Sequence, residues 1–151
     1  MPGIELDDTD KAIISELQAD GRISYADLAP RIGLSAAATR QRVQRILDAG
    51  VVRVVGVTDP TEVGYPTMAM LGVRVEGDAR AVADEVAAID GVIYVVFSSG
   101  SFDLLVEVIA AGTGDLLDVI NDRVRAVAGV RQVESFLYLG THTHRFGWEV
   151  R

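Results

Sequence analysis

Residues 24–48 read SYADLAPRIGLSAAATRQRVQRILD, and their pattern decides the fold of the first third of the chain. The pattern predicts two short helices separated by Gly33-Leu34-Ser35. Ser24, with Asp27 three residues later, resembles a capping box for the first helix, and Ser35 caps the second. The inward stripe predicted for the second helix is Ala36, Thr39, Val43, Ile46 and Leu47. Two short helices joined by so short a turn are typical of a helix-turn-helix.

The outer face of the second helix suits DNA. Small residues at its tip allow a close approach to a major groove, and glutamine and arginine side chains can reach base edges or phosphates. The N-terminus of a helix also offers backbone N–H groups to a phosphate. The predicted DNA-binding residues are Ser24, Ser35, Ala36, Ala37, Ala38, Gln41, Arg42 and Arg45. On spacing alone, a three-helix bundle with a solvated charged face stays open as the alternative.

The charge distribution supports DNA binding although the net charge of the 151 residues is −8. Between Gly21 and Thr58 there are six arginines and only two acids, a net charge of +4. From Asp59 to the end the net charge is −7. We therefore expect a nucleic acid to meet the basic segment and to be repelled by the acidic remainder.

The rest of the first domain is a preceding helix and a following strand. Ile13, Ile14 and Leu17 form an apolar stripe that predicts a helix over about Thr9–Ala19. The β-branched run Val51–Val57 predicts an exit strand, either a wing or a linker strand, and Asp59-Pro60 ends it. These patterns predict a helix-turn-helix domain with its exit strand over residues 1–58 and a linker over residues 59–66.

Residues 67–151 repeat a strand-helix-strand unit. Strands are predicted over 68–76, 92–98, 102–110 and 130–139, and helices over 79–89 and 116–126, with Leu116, Leu117, Ile120 and Val124 facing inward in the second. The order βαββαβ is that of a ferredoxin-like fold. The predicted fold class is α+β: a (winged) helix-turn-helix domain followed by a ferredoxin-like domain. Apolar residues on both sheet faces predict that a second protomer covers the face without helices.

Composition limits the other functions. The chain has no cysteine, no segment resembling a signal peptide and no apolar run long enough to span a membrane, so we expect a cytoplasmic protein without a membrane partner. No catalytic constellation, phosphate loop or dinucleotide fingerprint is present, which predicts a non-enzyme without a cofactor. His142 and His144 share one face of an extended segment. Without a third ligand nearby except Glu149, no metal site is predicted. The tail is expected to be solvated or to contact a neighbouring protomer near Phe146 and Trp148.

The chain resembles the leucine-responsive/asparagine-regulator (Lrp/AsnC, feast/famine) family of transcriptional regulators. The likeness rests on Leu6–Asp10 before a helix, on Gly33-Leu34-Ser35 with Arg42 and Arg45, and on the turn Gly100-Ser101-Phe102-Asp103. It covers nearly the whole chain in the same element order. The alanine-rich tip of the second helix departs from the family's usual form, which puts base-edge hydrogen bonds there in doubt.

The resemblance implies a DNA-binding regulator whose assembly and DNA affinity respond to an amino acid or related small metabolite. It implies homodimers that assemble into octamers or other rings, and an effector pocket lined by Gly100 and Asp103 with Ser98, Ser99 and Ser101 beside them. A glycine turn suits a carboxylate and Asp103 suits an ammonium group, although both residues also fit a plain hairpin turn. Two alternatives stay open: an architectural DNA-binding protein without an effector, and an enzyme resembling sirohaem decarboxylases, which the acidic second domain fits poorly.

Overall fold

The structure is a computed structural model that describes residues 4–143. The chain forms two compact units, the first running to Val57 and the second from Thr58 to His142. The first is a helical domain and the second is a four-stranded antiparallel sheet with helices. The predicted α+β fold class, a helix-turn-helix domain followed by a ferredoxin-like domain, is confirmed.

Three helices build the first unit: α1 (Asp8–Ala19), α2 (Tyr25–Arg31) and α3 (Ala36–Asp48). Ser24 and Ser35 cap α2 and α3, as the sequence predicts. Gly33 adopts φ 71° between the two helices, a conformation that glycine reaches without the steric cost other residues meet. The turn between α2 and α3 can therefore be as short as a helix-turn-helix requires.

The core of the first unit comes from one stripe on each helix. Its buried members are Ile13, Ile14, Leu17, Leu28, Val43 and Ile46, and Thr39 is also fully buried. The inward position predicted for Ala36 is wrong, because the first buried residue of α3 is Thr39 and the preceding turn projects into solvent. That projecting tip is the part of α3 that a large partner can reach.

The predicted exit strand over Val51–Val57 is wrong. Residues 52–57 have no strand assignment, and within the described chain they pair with no other strand. Val55 is 69% exposed, and Val54 and Val57 are also more than half exposed. β-Branched residues favour extended backbone, but a strand exists only where a partner takes up its N–H and C=O groups.

The second unit contains β1 (Thr67–Val75), α4 (Ala79–Ala87), β2 (Val92–Phe97), β3 (Leu104–Ala110), α5 (Thr113–Asp118) and β4 (Val130–Leu137). The strand order is β2-β3-β1-β4, with every neighbouring pair antiparallel. A short 3₁₀ turn, Pro60–Val63, precedes β1. The four strands and the first helix of this unit lie within two or three residues of their predicted positions.

The second predicted helix of this unit differs from the observed one. The observed helix, α5, begins at Thr113 and continues as a π-helix over Val119–Val124, whereas the predicted helix covered residues 116–126. Leu116, Val119, Ile120 and Val124 are buried at helical spacing, whereas Leu117, predicted to face inward, lies off this stripe and is 57% exposed. Residues of α4, of this helix and of one sheet face form the core, with Leu71, Val73, Val86, Leu104, Val106 and Val108 fully buried.

Candidate functional site

The N-terminal tip of α3 is exposed and carries only small side chains. Ala36 and Ala37 are exposed and Ala38 is half-buried. The Ser35 hydroxyl accepts a hydrogen bond from the Ala38 N–H at 3.2 Å. At the start of α2 the Ser24 hydroxyl accepts from the Asp27 N–H at 3.1 Å and donates to the Asp27 carboxylate at 2.6 Å. Both predicted serines thus cap helices while remaining exposed.

A shallow groove runs along the outer face of α3. It is lined by Ala37, Arg40, Gln41, Gln44, Arg45 and Asp48. Arg40 and Gln44 were not among the predicted DNA-binding residues, although their helical spacing from Ala37 and Gln41 places them on the same face. The Gln44 amide donates to Asp48 at 2.7 Å, so Arg40 and Gln41 are the long polar side chains of this face without a protein partner among the described residues.

The guanidinium groups of Arg42 and Arg45 bind carboxylates at the start of α1, although the Arg45 side chain also lines the groove. Arg42 Nη1 donates to Asp10 Oδ1 at 2.9 Å and to Asp7 Oδ2 at 2.7 Å, and Arg45 Nη2 donates to Asp10 Oδ2. The Asp10 side chain is only 1% exposed. Burial alone would raise the pKa of Asp10, but hydrogen bonds from Arg45, from the Asp7 N–H and from Arg42 outweigh it and lower that pKa below its ordinary value. Sequence reasoning missed this cluster. The local signal at these positions is the capping box that Asp7 and Asp10 form at the start of α1, and this signal does not indicate a contact with the arginines of α3.

The turn predicted to bind an effector joins β2 to β3. Asp103 Oδ2 accepts from the Val75 N–H at 2.8 Å, and the Asp103 N–H donates to the Val73 carbonyl at 2.9 Å. The Ser98 hydroxyl accepts from the Gly100 N–H at 3.4 Å. Ser99, Gly100, Ser101 and Asp103 are exposed and Ser98 is half-buried. One carboxylate oxygen of Asp103 therefore ties the turn to the end of β1, while Ser99, Gly100 and Ser101 remain exposed.

Phe102 anchors the same turn to the sheet. Its ring lies directly over Gly72 of β1, where an added Cβ would sit 2.5 Å from the ring. The ring makes an edge contact with Phe136 at 6.2 Å between centroids, and the Arg74 guanidinium lies 6.0 Å from its centroid. The turn is thus held by an aromatic contact as well as by the Asp103 hydrogen bonds.

The sheet face away from the helices is partly apolar, as the alternation predicts. Tyr94 of β2 and Phe136 of β4 are 54% and 45% exposed on it. Glu107 also lies on this face, opposite Tyr94 and Met70 in the strand register, and accepts a hydrogen bond from the Tyr138 hydroxyl at 2.9 Å. Burial and the Glu107 carboxylate raise the pKa of Tyr138 to about 12. Within residues 4–143, Tyr94 and Phe136 remain exposed on this face.

The predicted tail contacts lie almost entirely outside the described residues. His142 is exposed, whereas His144, Phe146, Trp148 and Glu149 are not described. None of the helices in residues 4–143 has the length and hydrophobicity of a transmembrane span.

A helix-turn-helix with a projecting second helix, followed by a ferredoxin-like domain, defines a class of two-domain DNA-binding regulators. Residues 6–46 match the AsnC-type helix-turn-helix domain, and residues 68–147 match the Lrp/AsnC ligand binding domain. The chain therefore belongs to the Lrp/AsnC family of transcriptional regulators, with a DNA-binding domain and a ligand-binding domain.

Named relatives span nearly the whole chain. It is 32% identical over 139 residues to the leucine-responsive regulatory protein of Rhizobium meliloti, covering 89% of both chains. It is 31% identical to the regulator AldR of Mycobacterium tuberculosis, covering 88% of this chain and 77% of that one. The crystal structure of the leucine response regulatory protein of Mycobacterium tuberculosis superposes with a TM-score of 0.85 at 28% identity, covering 96% and 100% of the two chains.

Proposed function

We propose that the chain binds double-stranded DNA through the exposed tip and outer face of α3, and that an amino acid or related small metabolite changes its assembly and its DNA affinity. The observation that carries the first part is the projecting face of α3. Its first turn is small and exposed, and no acidic side chain lines the groove before Asp48. A helix with those properties can enter a major groove closely enough for side chains to reach base edges.

We assign the direct DNA contacts to the N-caps and to the outer face of α3. Ser24 and Ser35 sit at helix N-termini, where N–H groups and dipole favour a phosphate. Ala36, Ala37 and Ala38 provide close approach and methyl contacts, and Gln41 provides a hydrogen-bonding edge for a base. Arg42 and Arg45 lie on the flank of this face with donors already engaged by carboxylates.

A pair of matched charge variants tests DNA binding. Ala37→Glu places a carboxylate on the proposed DNA face, and Ala12→Glu adds the same charge at an exposed position of α1. In a mobility-shift assay on a duplex that the wild-type protein selects from a random pool, we expect Ala37→Glu to lose binding and Ala12→Glu to keep most of it. Equal losses in both variants would remove α3 from the role proposed here.

We propose that the effector binds at the turn 98–103, between copies of the second unit. The exposed glycine turn around Gly100 suits a ligand carboxylate, and the second oxygen of Asp103, which does not bind the Val75 N–H, suits its ammonium group. The partly apolar sheet face supports a homodimer, and further assembly to an octamer or another ring would bring several turns together. The relative from Rhizobium meliloti, named leucine-responsive, favours an amino acid as the class of effector.

A thermal-shift screen against the twenty amino acids and a few keto acids tests this assignment. A ligand at 100 times its Kd stabilises the folded state by about 2.7 kcal/mol, which raises the melting temperature measurably. Asp103→Asn keeps an acceptor for the Val75 N–H but removes the charge, whereas Asp103→Ala removes both. We expect both variants to lose the ligand-induced shift. A normal shift in Asp103→Asn would limit Asp103 to a role in the turn.

A further inference from the structure

Asp10 is a buried carboxylate at the junction of α1 and α3. Its side chain is 1% exposed, and it accepts hydrogen bonds from the Asp7 N–H at 3.1 Å, from Arg42 Nη1 at 2.9 Å and from Arg45 Nη2. Thirty-five residues of chain separate Asp10 from Arg45, so this contact is tertiary. A buried carboxylate is tolerated only when such partners compensate its lost hydration.

The cluster divides the arginines of the basic segment into two groups. Arg31 pairs with Glu16 at 2.7 Å, and Arg42 and Arg45 pair with Asp10. Within the basic segment, residues 21–58, the arginines without an acidic side chain of the described chain at ion-pair distance are Arg22, Arg40 and Arg53. On α3, Arg40 is the arginine without an acidic partner among residues 4–143, and it lies in the groove beside Gln41.

Moving Arg42 and Arg45 to a phosphate would leave Asp10 buried without its counter-charges. Removing one partner of a buried ion pair is strongly destabilising, because the remaining charge is not compensated. A surface phosphate contact in water returns much less than that. The two guanidinium groups therefore hold α3 at a fixed position against α1, although the Arg42 and Arg45 side chains are 33% and 45% exposed.

We propose that Asp10 is a positioning residue, which orients the recognition helix α3 through Arg42 and Arg45, while Arg40 makes the direct phosphate contact of that helix. This inference rests on the proposed DNA binding through α3. It reassigns two of the predicted DNA-binding arginines to an indirect role and adds a direct contact that the sequence pattern did not single out.

The matched pair Arg40→Ala and Arg45→Ala separates the two roles. Both variants remove one arginine from the same helix and are measured on a duplex that the wild-type protein selects from a random pool. Loss of a direct phosphate contact lowers the slope of log Kd against log salt by about one for each bound protomer. We expect that change for Arg40→Ala with an unchanged melting temperature. For Arg45→Ala we expect an unchanged slope, weaker binding and a lower melting temperature.

Asp10→Asn gives the opposite test, because it frees both arginines. If they contacted phosphates directly, this variant would bind DNA at least as tightly as the wild type, with a steeper salt slope. We instead expect Kd to rise about tenfold. This is the rise that results if only about a tenth of the variant molecules hold α3 in the position that binds DNA. If Asp10→Asn does not fold, the salt slopes and melting temperatures of Arg40→Ala and Arg45→Ala test the proposal on their own.

The outcomes distinguish this inference from the proposed function. A wild-type protein that retains no duplex refutes DNA binding and this division of roles with it. A wild-type protein that binds, together with a reduced slope in Arg45→Ala or tighter binding by Asp10→Asn, refutes only the division of roles.

Discussion

Gly72→Ala is expected to destabilise the second unit by displacing Phe102. A methyl group at position 72 would lie 2.5 to 2.7 Å from three carbons of the Phe102 ring, well inside van der Waals contact. The backbone at Gly72 does not have a positive φ, so alanine meets no conformational penalty there and the clash alone determines the effect. The ring must move, and it carries residues of the turn 98–103 with it.

The cost follows from what the ring gives up. Forcing an extra methyl group into a packed site costs about 1–3 kcal/mol. Moving the ring also loses the edge contact with Phe136, worth about 0.5–1.5 kcal/mol, and weakens the contact with Arg74. Because Phe102 is only half-buried, its ring can swing outward and relieve most of the clash. We therefore expect a total loss of stability of about 1–2 kcal/mol, in the lower half of the range for an extra methyl group.

Thermal unfolding followed by far-ultraviolet circular dichroism measures the effect. In a domain of this size each kcal/mol lowers Tm by about 4–8 °C. Gly114→Ala is the matched control, since Gly114 lies in α5 with nothing within 4 Å of an added Cβ. Alanine in a helix is favoured over glycine by about 0.5–1 kcal/mol, so this control should be neutral or stabilising.

A double-mutant cycle identifies Phe102 as the cause. In a Phe102→Ala background the methyl group at position 72 meets no ring, so most of the cost of Gly72→Ala should disappear. If Gly72→Ala is as stable as the wild type, or if its cost is the same in both backgrounds, the packing of Phe102 over Gly72 does not hold the turn as described.

Three further predictions concern single side chains. The pKa of Asp10 is lower in the folded state than its ordinary value of 3.8, so ionised Asp10 stabilises the folded state at pH values above 3.8. This stability is lost as the pH falls through the lower pKa of the folded state. In an acid titration, the stability of Asp10→Asn should therefore depend less on pH below about pH 4 than that of the wild type. The raised pKa of Tyr138 favours its neutral form, and the resulting stability is lost as the pH rises through about 12. A spectrophotometric titration of Tyr138→Phe should therefore lack the tyrosinate component near that value, and an unchanged titration would contradict the contact with Glu107. Asp103→Ala should cost about 1 kcal/mol in urea unfolding through loss of the bond to the Val75 N–H, while Asp103→Asn should cost clearly less.

Sequence patterns alone predict four of the five helices closely, most of the strands and the order of the elements. Those features depend on short-range patterns: serine caps before α2 and α3, apolar stripes at helical spacing, and alternation in the strands. The sequence also placed the exposed alanine tip of α3 and the turn around Gly100, because both follow directly from element boundaries.

Tertiary structure alone decided which polar groups remain available. Asp10 meets Arg42 and Arg45 across more than thirty residues, and Asp103 meets Val75 across 28, so no local pattern indicates either contact. The same reason explains the failed exit strand, since the valines of 51–57 fit a strand but pairing depends on a partner elsewhere. A local pattern predicts which side chains face outward from a helix. Whether a charged side chain there forms an ion pair depends on the residues that the fold places next to it, which are distant in sequence.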